Sequence, residues 1–295
     1  MSATTLRALF ADVVSRLKPL GGDAATTDAR RLVLDGLDLE RDALVMTPHA
    51  PVAPDAAARV HELVARRLAH EPVSRILGRR DFYGRTFAVT PDVLDPRPDT
   101  ECLVACVLEA CACGEAPAAA RILDVGTGSG CLAVTLLAEM PDAHATAIDV
   151  SAGACAITRD NAKRHGVQDR LTVLCADAFA PEPPDVGAPF DVLVSNPPYI
   201  PTDDLAGLDA GVRLFDPTLA LDGGADGLRD LRALDAALDR WCPSGLAVIE
   251  IGYDQGPAAL ALFAREDGAV PERTVDLRQD LASCDRCVVI RTRIV

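Results

Sequence analysis

The chain has 295 residues, 49% of them hydrophobic, enough for one large domain or for one domain with a small accessory one. Lys and Arg number 29 against 44 Asp and Glu, and the net charge of -15 disfavours non-specific binding to a phosphate backbone, which needs clustered basic residues. No basic segment leads into a long apolar run at the N-terminus, and no uninterrupted apolar stretch approaches about 18 residues, so the expected location is the cytoplasm.

Residues 4–18 place Leu6, Leu9, Phe10, Val13, Val14 and Leu17 at helical spacing, and Gly21-Gly22 ends the pattern. A second helix is expected after Thr26-Thr27-Asp28, a cluster suited to capping, and carries Leu32, Leu34 and Leu37. A third, from Asp55 to Ala69, carries Val60, Leu63, Val64 and Leu68. Residues 1–75 thus form a small helical domain, too small to be very stable alone, with no glycine-rich loop or carboxylate cluster; recognition of a partner and simple packing are equally compatible with it.

Residues 76–101 are a connector with a β-hairpin turning near Gly84, between Asp81-Phe82-Tyr83 and Arg85-Thr86-Phe87. Pro96-Arg97-Pro98 is extended and stiff, and Asp99-Thr100 is placed to cap a helix through Cys102, Leu103, Val107 and Leu108. Arg97 is either a surface charge or directed at an active site, and position alone favours the surface.

From residue 102 to 295 a catalytic domain is expected, with strands and helices alternating from residue 121. Strands are predicted over 121–125, 145–149, 171–175, 190–194, 246–251, 274–277 and 287–292, and helices over 131–138, 152–165, 228–241 and 256–265. Strict alternation implies an α/β, Rossmann-like fold: a doubly wound, seven-stranded, mainly parallel sheet with right-handed crossovers. The last two strands lack an intervening helix, so one of them is expected to join antiparallel.

Most of the ten cysteines fall in periodic apolar segments, with Cys102 and Cys106 on one helix face, Cys131 after a glycine loop and Cys175 in a strand; buried free thiols are the simplest account. Cys284 and Cys287 have CxxC spacing without the further pair that zinc needs, so no metal is predicted. None of the five histidines sits in a motif, which leaves little support for histidine base catalysis.

Two stretches carry chemistry. The first is Ser195-Asn196-Pro197-Pro198-Tyr199, delivered at the carboxyl end of a buried strand, where open α/β sheets bind ligands. Asn196 can donate and accept, while Pro197 and Pro198 offer carbonyls without an N–H, an acceptor-rich surface suited to a planar NH2 group. Tyr199 could lay its ring against that group and exclude water. An NH2 conjugated to a carbonyl or heteroaromatic ring is a poor nucleophile, so positioning and electrostatics must dominate. A turn built on Asn and two prolines is the bland alternative.

The second is Asp124-Val125-Gly126-Thr127-Gly128-Ser129-Gly130, an apolar strand end entering a glycine loop and a helix, where backbone can approach a ligand. A dinucleotide site is the runner-up, but its third glycine would fall on Cys131. Asp149 ends the next strand, placed to accept from both ribose hydroxyls of an adenosine, and Asp177 with Ala178 follows the third strand toward the adenine end.

At these residues the chain resembles the class I S-adenosylmethionine-dependent methyltransferases, with Asp124 to Gly130 as the cofactor loop and Asp149 as the ribose-binding acid. More narrowly, Asn196 to Tyr199, Pro96 to Glu101, Glu71-Pro72, Phe82-Tyr83-Gly84, Leu219 to Gly224 and Asp226-Gly227-Leu228 resemble the HemK/PrmC family of protein-(glutamine-N5) methyltransferases. The resemblance runs from about residue 25 to the C-terminus. It implies methylation of the glutamine in the Gly-Gly-Gln motif of peptide chain release factors, a helical N-terminal domain that helps dock that substrate, and S-adenosyl-L-methionine as cofactor. Asp95 stands where the family usually has an aliphatic residue, and Ala178 where some members carry a larger one.

The resemblance further implies that Asn196 and the Pro197 carbonyl accept the two N–H bonds of the amide nitrogen, with no separate strong base, and that Pro198 and Tyr199 complete the substrate site. The residues alone leave other substrates open: a ribosomal-protein glutamine, or adenine N6 in DNA, which the acidic balance disfavours. A catalytically idle cofactor-binding module is the reading from another class.

Overall fold

The computed structural model describes residues 4–22, 24–187, 189–265 and 271–293, which divide into two compact units. The first runs to Arg79 and includes 209–215; the second comprises 80–208 and 216–295. Of the expected connector, residues 76–79 fall in the first unit and 80–101 in the second.

In the first unit, β1 (Thr4–Thr5) pairs antiparallel with β2 (Pro51–Val52), and the helices are α1 (Leu6–Leu17), α2 (Ala24–Gly36), α3 (Ala43–Met46), α4 (Pro54–Leu68) and α5 (Val73–Leu77). Leu6, Leu9, Val13 and Leu17 of α1 meet Ala29, Leu32 and Val33 of α2 and Val60 and Val64 of α4 in one core. That is the 3.6-residue stripe of three amphipathic helices turned inward. Thr26, Thr27 and Asp28 do not cap α2. They lie inside it, and the Asp28 carboxylate accepts from Arg67 Nε on α4 at 2.8 Å.

The second unit opens with the hairpin β3 (Arg79–Phe82) and β4 (Arg85–Ala88), turning through Tyr83-Gly84. Then follow α6 (Glu101–Ala112), β5 (Arg121–Val125), α7 (Cys131–Glu139), β6 (His144–Asp149), α8 (Ala152–Arg164), β7 (Leu171–Cys175) and β8 (Val192–Ser195). A short α9 (Ala210–Arg213) belongs to the first unit, and α10 (Arg229–Trp241), β9 (Gly245–Glu250), α11 (Gly256–Phe263), β10 (Glu272–Gln279) and β11 (Asp285–Arg293) complete the second.

Seven strands form one sheet in the order β10-β11-β9-β8-β5-β6-β7. β5 to β9 are parallel, and β11 runs antiparallel to both its neighbours, β9 and β10. A connection of the hairpin kind between β10 and β11, without a crossover helix, forces that reversal. β8 is buried along its whole length between two parallel neighbours, which is why it is continuously apolar instead of alternating. Helices cover both faces, giving one core around Leu103, Val107, Leu136 and Val194 and another around Leu123, Leu193, Leu234 and Trp241.

The chain order reverses between β5 and β8: β6 and β7 lie on one side, β9 on the other. Loops leaving the carboxyl ends of β5 and β8 diverge there and open a crevice. Ser195 Oγ donates to the Val125 carbonyl at 2.7 Å and ties the two strand ends together at that point.

Candidate active site

A cavity of about 590 Å³ lies at this reversal, within the size range of small-ligand sites. Its walls include Val125 to Ser129 after β5, Asp149 after β6, Asp177 and Ala178 after β7, and Ser195 to Pro198 after β8. The two sequence motifs therefore meet in one space, although 70 residues separate Val125 from Ser195.

The glycine loop is held from behind. Asp124 is fully buried, and its Oδ2 accepts from Thr127 Oγ1 at 2.7 Å and from the Ala133 amide at 3.2 Å. It thereby fixes both the loop and the first turn of α7, while Oδ1 has no hydrogen-bond partner. Burial pushes its carboxyl up to about 7, against the pull of Thr127 and Ala133. Gly130 also faces away from the cavity: its φ is +79°, and a Cβ there would sit 2.9 Å from the Thr158 methyl of α8. Asp124 and Gly130, expected among the cofactor contacts, are thus not cavity-lining residues.

Gly126, Thr127, Gly128, Ser129, Asp149, Asp177 and Ala178 do line it. Asp149 Oδ2 accepts from the Gly128 amide at 2.9 Å and its Oδ1 from the Ser151 amide at 2.9 Å, so one carboxylate ties the end of β6 to the glycine loop. Asp177 is exposed at the rim, with Oδ1 accepting from the Phe179 amide at 2.8 Å.

On the opposite wall, Asn196 Nδ2 donates to Thr100 Oγ1 at 3.1 Å, which leaves the Asn196 carbonyl oxygen as an acceptor. Pro197 and Pro198 line the cavity; Tyr199 does not. The Tyr199 hydroxyl donates to Glu250 Oε1 at 3.3 Å, and its backbone carbonyl accepts from Gln255 Nε2 at 3.1 Å. Burial, then Glu250, raises the phenol's pKa, so the hydroxyl keeps its proton. The loop is braced further by Leu221 to Gly223, whose backbone exchanges hydrogen bonds with Ile200 at 3.1 and 2.8 Å.

Three residues gain a place that sequence reasoning did not assign them. Thr100 does not cap α6 through its side chain; its hydroxyl meets Asn196 instead. Arg97 is not a plain surface charge, for it lines the cavity and its Nη2 lies 2.6 Å from Asp216 Oδ2. Glu250, at the end of β9, is 1% exposed, with Oε2 unpartnered, and burial pushes its carboxyl up to about 7 against Thr100, Arg286 and Tyr199. A carboxylate inside the otherwise apolar run Leu246 to Ile251 was the available signal. Asp95 is buried as well, 3.7 Å from Arg80.

Family comparison agrees with this architecture. The model of the methyltransferase small domain matches residues 99–216, and that of the PrmC N-terminal domain matches residues 8–78. The release factor glutamine methyltransferase of Cereibacter sphaeroides is 42% identical over 291 residues, covering 98% of this chain and 98% of that protein. The chain belongs to the release factor glutamine methyltransferase family. The family member from Rhodospirillum rubrum is 40% identical over 296 residues, 99% of this chain and 86% of that one. Among solved structures, the hMettl16 catalytic domain in complex with MAT2A 3'UTR hairpin 6 superposes with a TM-score of 0.55 at 15% identity, covering 82% of this chain and 84% of that chain, and so shares the fold.

Release factor glutamine methyltransferases depend on S-adenosylmethionine, and the residues present fit that group. Gly126 and Gly128 have open space where a Cβ would project, on a loop that faces the cavity, and the Asp149 carboxylate stands beside them with lone pairs left to accept hydroxyl hydrogens.

Proposed function

We propose that the chain transfers a methyl group from S-adenosylmethionine to the side-chain N5 of the glutamine in the Gly-Gly-Gln motif of a peptide chain release factor. The observation that carries this reading is the Asn196–Thr100 hydrogen bond at 3.1 Å, which commits the Asn196 NH2 group and turns its oxygen into an acceptor on the cavity wall. An amide NH2 has two hydrogens and needs two acceptors in its own plane. The Asn196 oxygen and the Pro197 carbonyl, both on the cavity wall, supply them, and Pro197 has no N–H to compete.

S-adenosylmethionine supplies an electrophilic methyl on a positively charged sulfur. Gly126 to Ser129 and Asp149 would hold it, and Asp177 and Ala178, on the same cavity wall, would contact its adenosine moiety. As the new nitrogen–carbon bond forms and the methyl–sulfur bond breaks, the Asn196 and Pro197 oxygens stabilise the positive charge on the amide nitrogen without reorganising, and the product amide then loses one N–H proton to solvent. Asp124 and Gly130 act from behind, by fixing the loop. Pro198 forms wall, and Tyr199 holds the loop through Glu250 and Gln255.

The helical unit built on α1, α2 and α4 is assigned to docking the release factor, in keeping with its match to the PrmC N-terminal domain. A substrate that acts in translation supports a cytoplasmic location; among the described residues no helix is long and apolar enough to cross a membrane. The net charge of -15 speaks against DNA adenine as the acceptor. Mass spectrometry of a Gly-Gly-Gln release factor after incubation with enzyme and S-adenosylmethionine tests the assignment. One added methyl on the glutamine is expected; modification at another residue, or of duplex DNA instead, overturns it.

A further inference from the structure

Three of the ten cysteines converge away from the cavity. Cys102 and Cys106 are four apart on α6 and share a face, and Cys287 projects from β11. In the antiparallel register Cys287 stands opposite Glu250 on β9 and Arg278 on β10, so all three side chains occupy the sheet face that α6 covers. The three sulfur atoms lie within 4.8 Å of one another, and the Cys102 thiol also donates to the Gln279 carbonyl at 3.7 Å. This is a different grouping from the CxxC spacing of Cys284 and Cys287, since the Cys284 thiol turns to the Ala282 carbonyl at 4.0 Å.

Three sulfurs bound to one ion at about 2.3 Å would stand about 4 Å apart, close to the spacing already present. No carboxylate or imidazole belongs to the group among the described residues, which excludes hard cations such as magnesium and calcium. It also lacks the fourth protein ligand that closes a structural zinc site. Soft thiolate sets with few ligands select monovalent copper.

The surroundings suit such an ion. Arg278, opposite Cys287 in the register and lining a cleft with Cys106, brings positive charge near the sulfurs while pairing with Glu109 at 3.5 Å, and the Asp280 carboxylate is held by Arg286 at 3.1 Å. A surface cleft of about 40 Å³, lined by Cys106 and Arg278, gives access, while Cys287 is fully buried in the apolar core. We propose that Cys102, Cys106 and Cys287 form a binding site for a soft, three-coordinate cation, Cu(I), backed against the strand that carries Glu250. Coordination forms three copper–sulfur bonds and releases the thiol protons to solvent.

The test uses the full chain, kept reduced and anaerobic, with Cu(I) competed against a chromogenic Cu(I) chelator. The wild type is expected to hold one tight equivalent, with affinity at least about tenfold weaker in Cys102→Ala and in Cys106→Ala. Cys175→Ala, at an exposed position on β7 at the far edge of the sheet, leaves it unchanged. X-ray absorption of the loaded wild type should show three sulfur scatterers and no nitrogen or oxygen neighbour. Equal affinity in wild type and Cys106→Ala, or a two-sulfur environment in the wild type, overturns the assignment.

Discussion

Asn196 and Thr100 are 96 residues apart in the chain, and the amide of one donates to the hydroxyl of the other at 3.1 Å. Asn196 leaves the carboxyl end of β8 and Thr100 immediately precedes α6, so this bond joins the substrate loop to the helix that covers the sheet. It also decides which end of a symmetric-looking carboxamide faces the cavity.

Replacing Thr100 with Val removes the acceptor while nearly keeping the volume. The Asn196 amide is then free to rotate and present NH2 to the substrate, a donor where an acceptor is required. Turnover should fall by about ten- to a hundredfold, the scale of a small misplacement of a positioning group. Thr100→Ser restores the hydroxyl and should recover most of it. Single-turnover methyl transfer checks both variants, and a Thr100→Val rate equal to wild type would refute the orienting role.

Asn196→Ala deletes the acceptor itself. Loss of a preorganised oxygen at the site of developing charge predicts a drop of about a hundred- to a thousandfold in kcat. Asn196 does not hold the glycine loop, so S-adenosylmethionine affinity by calorimetry should stay within about threefold of wild type. A parallel loss of cofactor binding would move Asn196 from the chemistry to the cofactor site.

The strands that place these groups are legible in the chain because each is a short apolar run stopped by glycine or proline: β5 before Gly126, β8 before Pro197. Their meeting is legible too, since alternating strands and helices set the carboxyl ends on one edge. The lateral partners are not. Thr100 pairs with a residue 96 positions away and Tyr199 with one 51 positions away, and local pattern carries no trace of either. Thr100 looks like a cap because Ser, Thr, Asp and Asn before a helix usually are, and tertiary contact overrides that preference here. Asp28 fails as a cap for a similar reason, its carboxylate being taken by Arg67. Cys175 sits in an apolar segment yet is exposed, because β7 is the edge strand.

Two glycines of one loop should respond differently to alanine. At Gly130 a Cβ meets Thr158 at 2.9 Å on top of a φ of +79°, so Gly130→Ala should destabilise the fold by about 2 kcal/mol or more. At Gly128 the added atom meets nothing within 4 Å, and the cost is the positive φ alone, about 1 kcal/mol. Its methyl would enter the space beside Asp149 on the cavity wall, so cofactor affinity should drop well beyond what stability predicts. Denaturant unfolding alongside cofactor titration separates the two, and identical profiles for both variants would show that the loop acts only as structure.

Asp124 makes stability depend on pH in a direction unusual for a carboxylate. Burial raises its folded pKa to about 7 from an ordinary value of 3.8, so between those limits the folded state holds a proton that the unfolded state has released. Stability from this group is complete below about pH 4 and is lost as pH rises toward 7 and beyond, with about 3 kcal/mol of the change falling between pH 5 and pH 8. Asp124→Asn cannot ionise, yet its carbonyl can still accept from Thr127 and the Ala133 amide. Relative to wild type, the variant should therefore gain on going from pH 5 to pH 8 by about that amount. Urea unfolding of both proteins at the two pH values measures it directly. A stability difference that is the same at pH 5 and pH 8 would mean that Asp124 is ionised in the folded protein throughout, and that its buried Oδ1 has a partner when charged.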